Sequence, residues 1–137
     1  MKVLIASSSL VAEPSLRALL SSSHEVIGGL TTPDTQRGRG REISENGFAQ
    51  LLKREKLPVY KPLSSSELIN LLESARPDVV ITISYGKLIK SDALKVPKFG
   101  WINVHFKAST FGLPYPAKCK CFTQPFVSFV FNAPLAK

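Results

Sequence analysis

The chain has 137 residues, a net charge of +8 and 44% hydrophobic composition, which is material for one globular core rather than a disordered or fibrous chain. No apolar run approaches the ~20 residues of a membrane-spanning helix, and Val3-Leu4-Ile5-Ala6 is shorter than the ~7 residues of the shortest export-signal cores. A cytoplasmic protein without membrane attachment is therefore expected.

In chain order, Lys2 to Ala6 reads as a parallel strand buried on both faces, ending in Ser7-Ser8-Ser9. A helix follows from Glu13, with Pro14 in its first turn and Leu16, Leu19 and Leu20 on one face. His24 to Thr31 supplies a second strand, closed by the turn signal Thr32-Pro33-Asp34, with His24 as a turn residue. The β-α-β unit so formed is expected to cross over right-handed. Thr35 to Arg41 holds three Arg, two Gly and no apolar residue, and reads as a flexible basic loop outside any core. Helical spacing resumes over Ile43 to Lys56, and Leu57 to Tyr60 reads as a short third strand. Ser64 to Ala75 predicts a serine-capped helix ended by Arg76-Pro77-Asp78, and Val79 to Ile83 predicts a central strand, β-branched and continuous. A short helix over Leu88 to Leu94 and a fifth strand over Gly100 to His105 complete the alternation. Five strands alternating with helices define an α/β, doubly wound, mostly parallel sheet over residues 1–106, with ligands expected outside the carboxyl ends of the strands.

The composition changes after Phe106. All ten acidic residues lie between Glu13 and Asp92, whereas residues 107–137 carry four Lys, five of the eight Phe, four of the ten Pro and both cysteines. Residues 1–106 hold 14 basic against ten acidic residues, so half of the +8 belongs to each part. Phe122 to Phe131 has strand-like composition, yet the prolines and the lack of a helical repeat leave residues 107–137 a divergent tail with no place in the sheet and no assigned domain. Cys119 and Cys121, one residue apart, make poor disulfide geometry and too few ligands for zinc, so they read as free thiols, and no metal is expected.

Asn103 and His105 stand two apart at the carboxyl end of the fifth strand, so both fall on one face. A histidine titrating near neutrality moves a proton, and an asparagine amide donates to a developing oxyanion, a combination suited to acyl transfer. A polar pair at a strand end also serves simply to meet loop backbone. Arg37, Arg39 and Arg41, spaced by glycine, match phosphate geometry, although a solvated loop has the same composition. Tyr85, Gly86, Leu88 and Ile89 follow the central strand and suit either the wall of a flat heterocycle pocket or the cap of a core. Ser7 to Glu13 lacks Gly-x-Gly-x-x-Gly, which argues against dinucleotide binding.

Taken together, six ordered landmarks resemble the N-terminal domain of the methionyl-tRNA formyltransferases over residues 1 to about 106. They are Glu13-Pro14-Ser15-Leu16, Thr32-Pro33-Asp34 with Gly38-Arg39-Gly40, Pro58-Val59-Tyr60, Arg76-Pro77-Asp78, Tyr85-Gly86-Lys87-Leu88-Ile89 and Gly100-Trp101-Ile102-Asn103-Val104-His105. The resemblance implies a Rossmann-like fold and transfer of a formyl group from 10-formyltetrahydrofolate to initiator methionyl-tRNA in translation initiation, by a monomer without metal. It implies that Asn103 and His105 are two of three catalytic residues, that the Tyr85 to Ile89 loop binds folate, and that Arg37, Arg39 and Arg41 approach the tRNA acceptor stem. The family continues past Asn-x-His with Ser-Leu-Leu-Pro, Tyr-Arg-Gly and a catalytic Asp, whereas this chain reads Lys107-Ala108-Ser109-Thr110-Phe111 and has no acid after Asp92. A one-nucleotide shift of frame after His105 permits codons for Lys-Leu-Leu-Pro and then Tyr-Arg. The expectation is a chain cut short by a frameshift, with weak or no turnover; the alternative is an α/β module that binds folate or RNA without catalysis.

Overall fold

The computed structural model describes the backbone of residues 1–37, 42–106 and 125–128. Its strands are β1 (Lys2–Ser7), β2 (Glu25–Leu30), β3 (Thr35–Arg37), β4 (Glu42–Ser44), β5 (Val59–Tyr60), β6 (Val79–Ile83), β7 (Trp101–Phe106) and β8 (Pro125–Ser128). Its α-helices are α1 (Glu13–Leu20), α2 (Gly47–Arg54), α3 (Ser65–Ala75) and α4 (Ser91–Lys95). Six strands form one sheet in the order β5-β2-β1-β6-β7-β8, and β3 pairs with β4 in a separate antiparallel ribbon. β5, β2, β1, β6 and β7 are parallel to their neighbours, while β8 runs antiparallel to β7.

The alternation of side chains along β1 decides where the helices lie. Leu4 and Ala6 join Val80, Trp101, Leu68, Leu72 and Ala93 on the face covered by α3 and α4. Ile5, between them, joins Leu16, Phe48, Leu51, Leu52 and Ile83 on the face covered by α1 and α2. Both faces of β1 are thus dry, which is why this strand reads as an unbroken apolar run.

Local chemistry sets the element ends. Ser64 caps α3 by accepting from the Glu67 amide at 3.1 Å, and Glu67 reaches back to accept from the Leu63 amide at 2.8 Å. Arg76 ends the same helix in the left-handed region at φ 48°, directly before Pro77. Gly28 sits at a bulge in β2 with φ 146°; a Cβ there would lie 2.7 Å from the Tyr60 ring and 2.9 Å from the Pro58 carbonyl oxygen. Glycine therefore permits β5 to close on β2.

Four expectations are corrected. Part of the tail does join the sheet, because Pro125–Ser128 pairs with β7 through Asn103↔Ser128 and Val104↔Val127. The basic segment is bounded by paired strands rather than being loop throughout, since Thr35, Gln36 and Arg37 pair with Ser44, Ile43 and Glu42. Ile43 belongs to β4 and not to the second helix, which begins at Gly47 because Asn46 caps it through the Ala49 amide at 2.9 Å. The fourth helix is Ser91–Lys95 and excludes Leu88 and Ile89, since Lys90 directly after them is extended at φ −73° and ψ 155° and stands at the N-cap. Cys119, Cys121 and the phenylalanines at 111, 122, 129 and 131 lie outside the described residues.

Candidate functional site

In sheet order the chain runs outward from β1 through β2 to β5, then returns to the other side of β1 for β6 and β7. The reversal between β1 and β6 is the switch point where parallel sheets leave a crevice at their carboxyl ends. Two loops meet there. The Ser84 carbonyl oxygen accepts from the Ser8 amide at 3.2 Å and from the Ser8 hydroxyl at 2.8 Å, tying the loop after β6 to the loop after β1. Ser84 adopts φ 49°, a left-handed conformation that costs a non-glycine residue about 1 kcal/mol or more and recurs at functional sites. Gly86 follows at φ 76°, where glycine carries no such cost.

This twice-reversed backbone turns Tyr85 inward and leaves Leu88 outside. Tyr85 is buried in the core with Leu68 and Leu72, whereas Leu88 is 96% exposed. A cleft of about 190 Å³ opens between the β6 loop and the start of α3, lined by Tyr85, Lys87, Leu88 and Ile89 on one wall and by Pro62, Leu63, Ser64, Ser65 and Leu68 on the other. Lys87 spans the walls by donating from Nζ to the Pro62 carbonyl oxygen at 2.7 Å. The Tyr85 hydroxyl is buried and, among the described residues, has no hydrogen-bond partner. Burial pushes its pKa up to about 12, because the phenolate would be formed in a poorly solvated position.

Asn103 lies on β7, in register with Thr82 of β6. The Thr82 hydroxyl lies 3.0 Å from Asn103 Oδ1 and 3.2 Å from the Ile102 carbonyl oxygen, and its one proton serves either acceptor. His105 is two residues further along β7, with its backbone in register with Phe126 of β8.

The structure thus gathers Tyr85, Leu88 and Ile89 into one cleft wall, with Gly86 at the bend that shapes it. It sets Asn103 and His105 on the strand next to β6, and Arg37 in the separate ribbon; Arg39 and Arg41 lie outside the described residues. Sequence reading missed Thr82, whose signal is a hydroxyl in the otherwise apolar run Val79–Ile83. It also missed the second cleft wall, which is 20 or so residues upstream of Tyr85 and meets it only through the fold. Among the described residues no helix is long and apolar enough to cross a membrane, and no group of three or more His, Cys, Asp or Glu could hold a metal.

The parallel, doubly wound sheet places the chain among α/β proteins, and residues 1–107 match the formyl transferase family, to which the chain belongs. Within that family it is similar to the methionyl-tRNA formyltransferase of Acidothermus cellulolyticus, 41% identical over 108 residues, and to that of Thermobifida fusca, 36% identical over 108 residues. These alignments cover 77% of this chain but 33% and 35% of those enzymes, so the chain spans about a third of their length. The fold is also that of the phosphoribosylglycinamide formyltransferase of Coxiella burnetii, with a TM-score of 0.56 at 10% identity over 77% of this chain and 50% of that one.

Proposed function

We propose that this chain carries the formyl-transfer site of a methionyl-tRNA formyltransferase, which passes the formyl group of 10-formyltetrahydrofolate to the methionine amino group of initiator tRNA. The observation that supports the reading is the contact of Asn103 with Thr82 of β6, the strand whose following loop carries Tyr85 into one wall of the cleft. In this reading Tyr85, Leu88 and Ile89 line the folate site, Gly86 shapes its turn, and Arg37, Arg39 and Arg41 approach the acceptor stem of the tRNA. The protein acts as a monomer in the cytoplasm.

The methionine amine attacks the formyl carbon and a tetrahedral intermediate forms. Asn103 Nδ2 donates to its oxyanion, and His105 takes the proton shed by the attacking nitrogen. The oxyanion then re-forms the carbonyl as the carbon bond to N10 of the folate breaks, and N10 leaves with the proton handed back by the His105 imidazolium. A carboxylate beside the histidine would stabilise the imidazolium formed in this sequence, and residues 93–137 contain none. Without that carboxylate, formyl transfer by residues 1–137 is expected to be weak or absent; the alternative is an α/β module that binds folate or RNA without catalysis.

Single-turnover formylation of methionyl initiator tRNA by the purified polypeptide tests the reading. Slow formylation is expected, and Asn103→Ala lowers it about 100-fold, the usual cost of one oxyanion donor. A rate unchanged by Asn103→Ala contradicts the assignment.

A further inference from the structure

β6 carries aliphatic side chains at every position but one. Thr82 stands among Val79, Val80, Ile81 and Ile83 and is itself 7% exposed. A valine has a similar shape and the same β-branching, and would suit this central strand without a hydroxyl to desolvate. The neighbours account for the hydroxyl. Thr82 is in register with Ala6 of β1 on one side and with Asn103 of β7 on the other, and both of its hydroxyl contacts go to β7. They are 3.0 Å to Asn103 Oδ1 and 3.2 Å to the Ile102 carbonyl oxygen. The Val80 amide donates to the Gly100 carbonyl oxygen at 3.1 Å, and a parallel ladder repeats every second residue, so the Ile102 oxygen takes the Thr82 amide. The sheet thus serves the backbone acceptor, and the shorter contact takes the hydroxyl proton.

An asparagine amide left to itself is a poorly aimed oxyanion donor. Its χ2 torsion is broad, and its oxygen and nitrogen ends are close in shape, so both visit the same place. A bond to Oδ1 removes this freedom, and by polarising the amide it also makes the N–H a stronger donor. We propose that Thr82 is a positioning residue for formyl transfer: its hydroxyl holds Asn103 by Oδ1, so that Nδ2 is the end presented to the formyl oxygen. The proposal rests on the formyl-transfer reading given above.

Thr82→Val deletes the hydroxyl with little change of shape, and Thr82→Ser keeps it. NMR relaxation of the Asn103 side-chain amide in the full chain reads the positioning without any turnover. Expected are order parameters above about 0.8 for this group in the parent and in Thr82→Ser, and below about 0.6 in Thr82→Val, with the backbone amides of β6 and β7 unaltered. An order parameter that Thr82→Val leaves unchanged overturns the proposal. A loss of order shared by those backbone amides overturns it too, since it marks a threonine that only holds the sheet together.

Single-turnover formylation of methionyl initiator tRNA supplies the second readout. Thr82→Val is expected to slow it about tenfold at saturating 10-formyltetrahydrofolate, to leave the half-saturating donor concentration unaltered, and to be rescued by Thr82→Ser. In an Asn103→Ala background the same change costs nothing further. A loss of similar size in that background, or a change in half-saturation alone, overturns the proposal. A rate that Asn103→Ala leaves unchanged sinks the formyl-transfer reading instead, and the relaxation then still decides whether Thr82 holds Asn103.

Discussion

Two segments project from the carboxyl side of the same sheet, and they are held by opposite means. The loop after β6 is anchored by an aromatic ring driven into the core, with one lysine bridge and the Ser8-Ser84 contacts as its polar ties. The β3-β4 ribbon is held at its base by a buried asparagine and an ion-pair group. Apolar anchoring is indifferent to salt and acid, while surface ion pairs are screened and titrated away. The loop after β6 is thus held by burial and the base of the ribbon by polar bonds.

The largest effect that would break this contrast is at Tyr85. Tyr85→Ala removes a buried ring and is expected to destabilise the fold by about 3 to 5 kcal/mol, read by urea unfolding. A loss under about 1 kcal/mol would mean that the loop is not anchored by burial.

Asn46→Ala comes next. It deletes a helix cap and strands the buried Thr31 hydroxyl, and the expected cost is about 2 to 3 kcal/mol by the same measurement.

Acid separates the two segments without mutation. The bonds from Lys53 and Lys61 hold the Glu45 carboxyl below its ordinary pKa of 4.5, so its contribution is present above pH 4.5 and fades as pH falls through the folded value. Burial acts to lower the pKa of Lys61, and the Asp34 and Glu45 bonds outweigh it, so the lysine stays charged throughout this range. Hydrogen exchange below pH 4.5 is expected to speed at Thr35 and Ser44 while the β1 and β6 amides remain protected; uniform loosening would contradict the contrast.

Alkali probes the other segment. A phenol whose folded pKa is raised contributes stability that is full below about pH 10 and is lost as pH climbs toward 12. One tyrosine in an ultraviolet titration is expected to ionise near 12, and Tyr85→Phe abolishes that step.

The smallest expected effect is the stability of Tyr85→Phe itself. Because the hydroxyl has no partner among the described residues, its removal is neutral or stabilising by up to about 1 kcal/mol. A destabilisation beyond about 1 kcal/mol would reveal a bond to the hydroxyl.

The same contrast explains what could be read from the residues alone. β1, β6, α1 and α3 carry their periodicity locally, as in Val79–Ile83 and in Leu68 with Leu72, so their burial follows from pattern. The ribbon could not be seen, because Thr35–Arg37 has no apolar alternation to mark a strand and Ile43 fits the helical spacing of Phe48, Leu51 and Leu52 as well as it fits β4. Only the Asn46 cap decides between them, and its buried bonds to Thr31 and Thr32 are tertiary. Tyr85, Leu88 and Ile89 stood out as candidates because they follow β6, and Asn103 because it stands two residues before His105 on one strand. Thr82 and the Pro62–Ser65 wall did not, since their part depends on which strands the sheet makes neighbours.

The central claim is that the cleft walled by Tyr85 and Leu68 receives the formyl donor. Amide chemical-shift mapping by NMR, with a stable 10-formyltetrahydrofolate analogue titrated into the 137-residue chain, tests it most directly. Saturable shifts confined to residues 62–65, 84–89 and 103–105 are predicted; saturable shifts that leave these segments unmoved, or no binding at millimolar analogue, would contradict it.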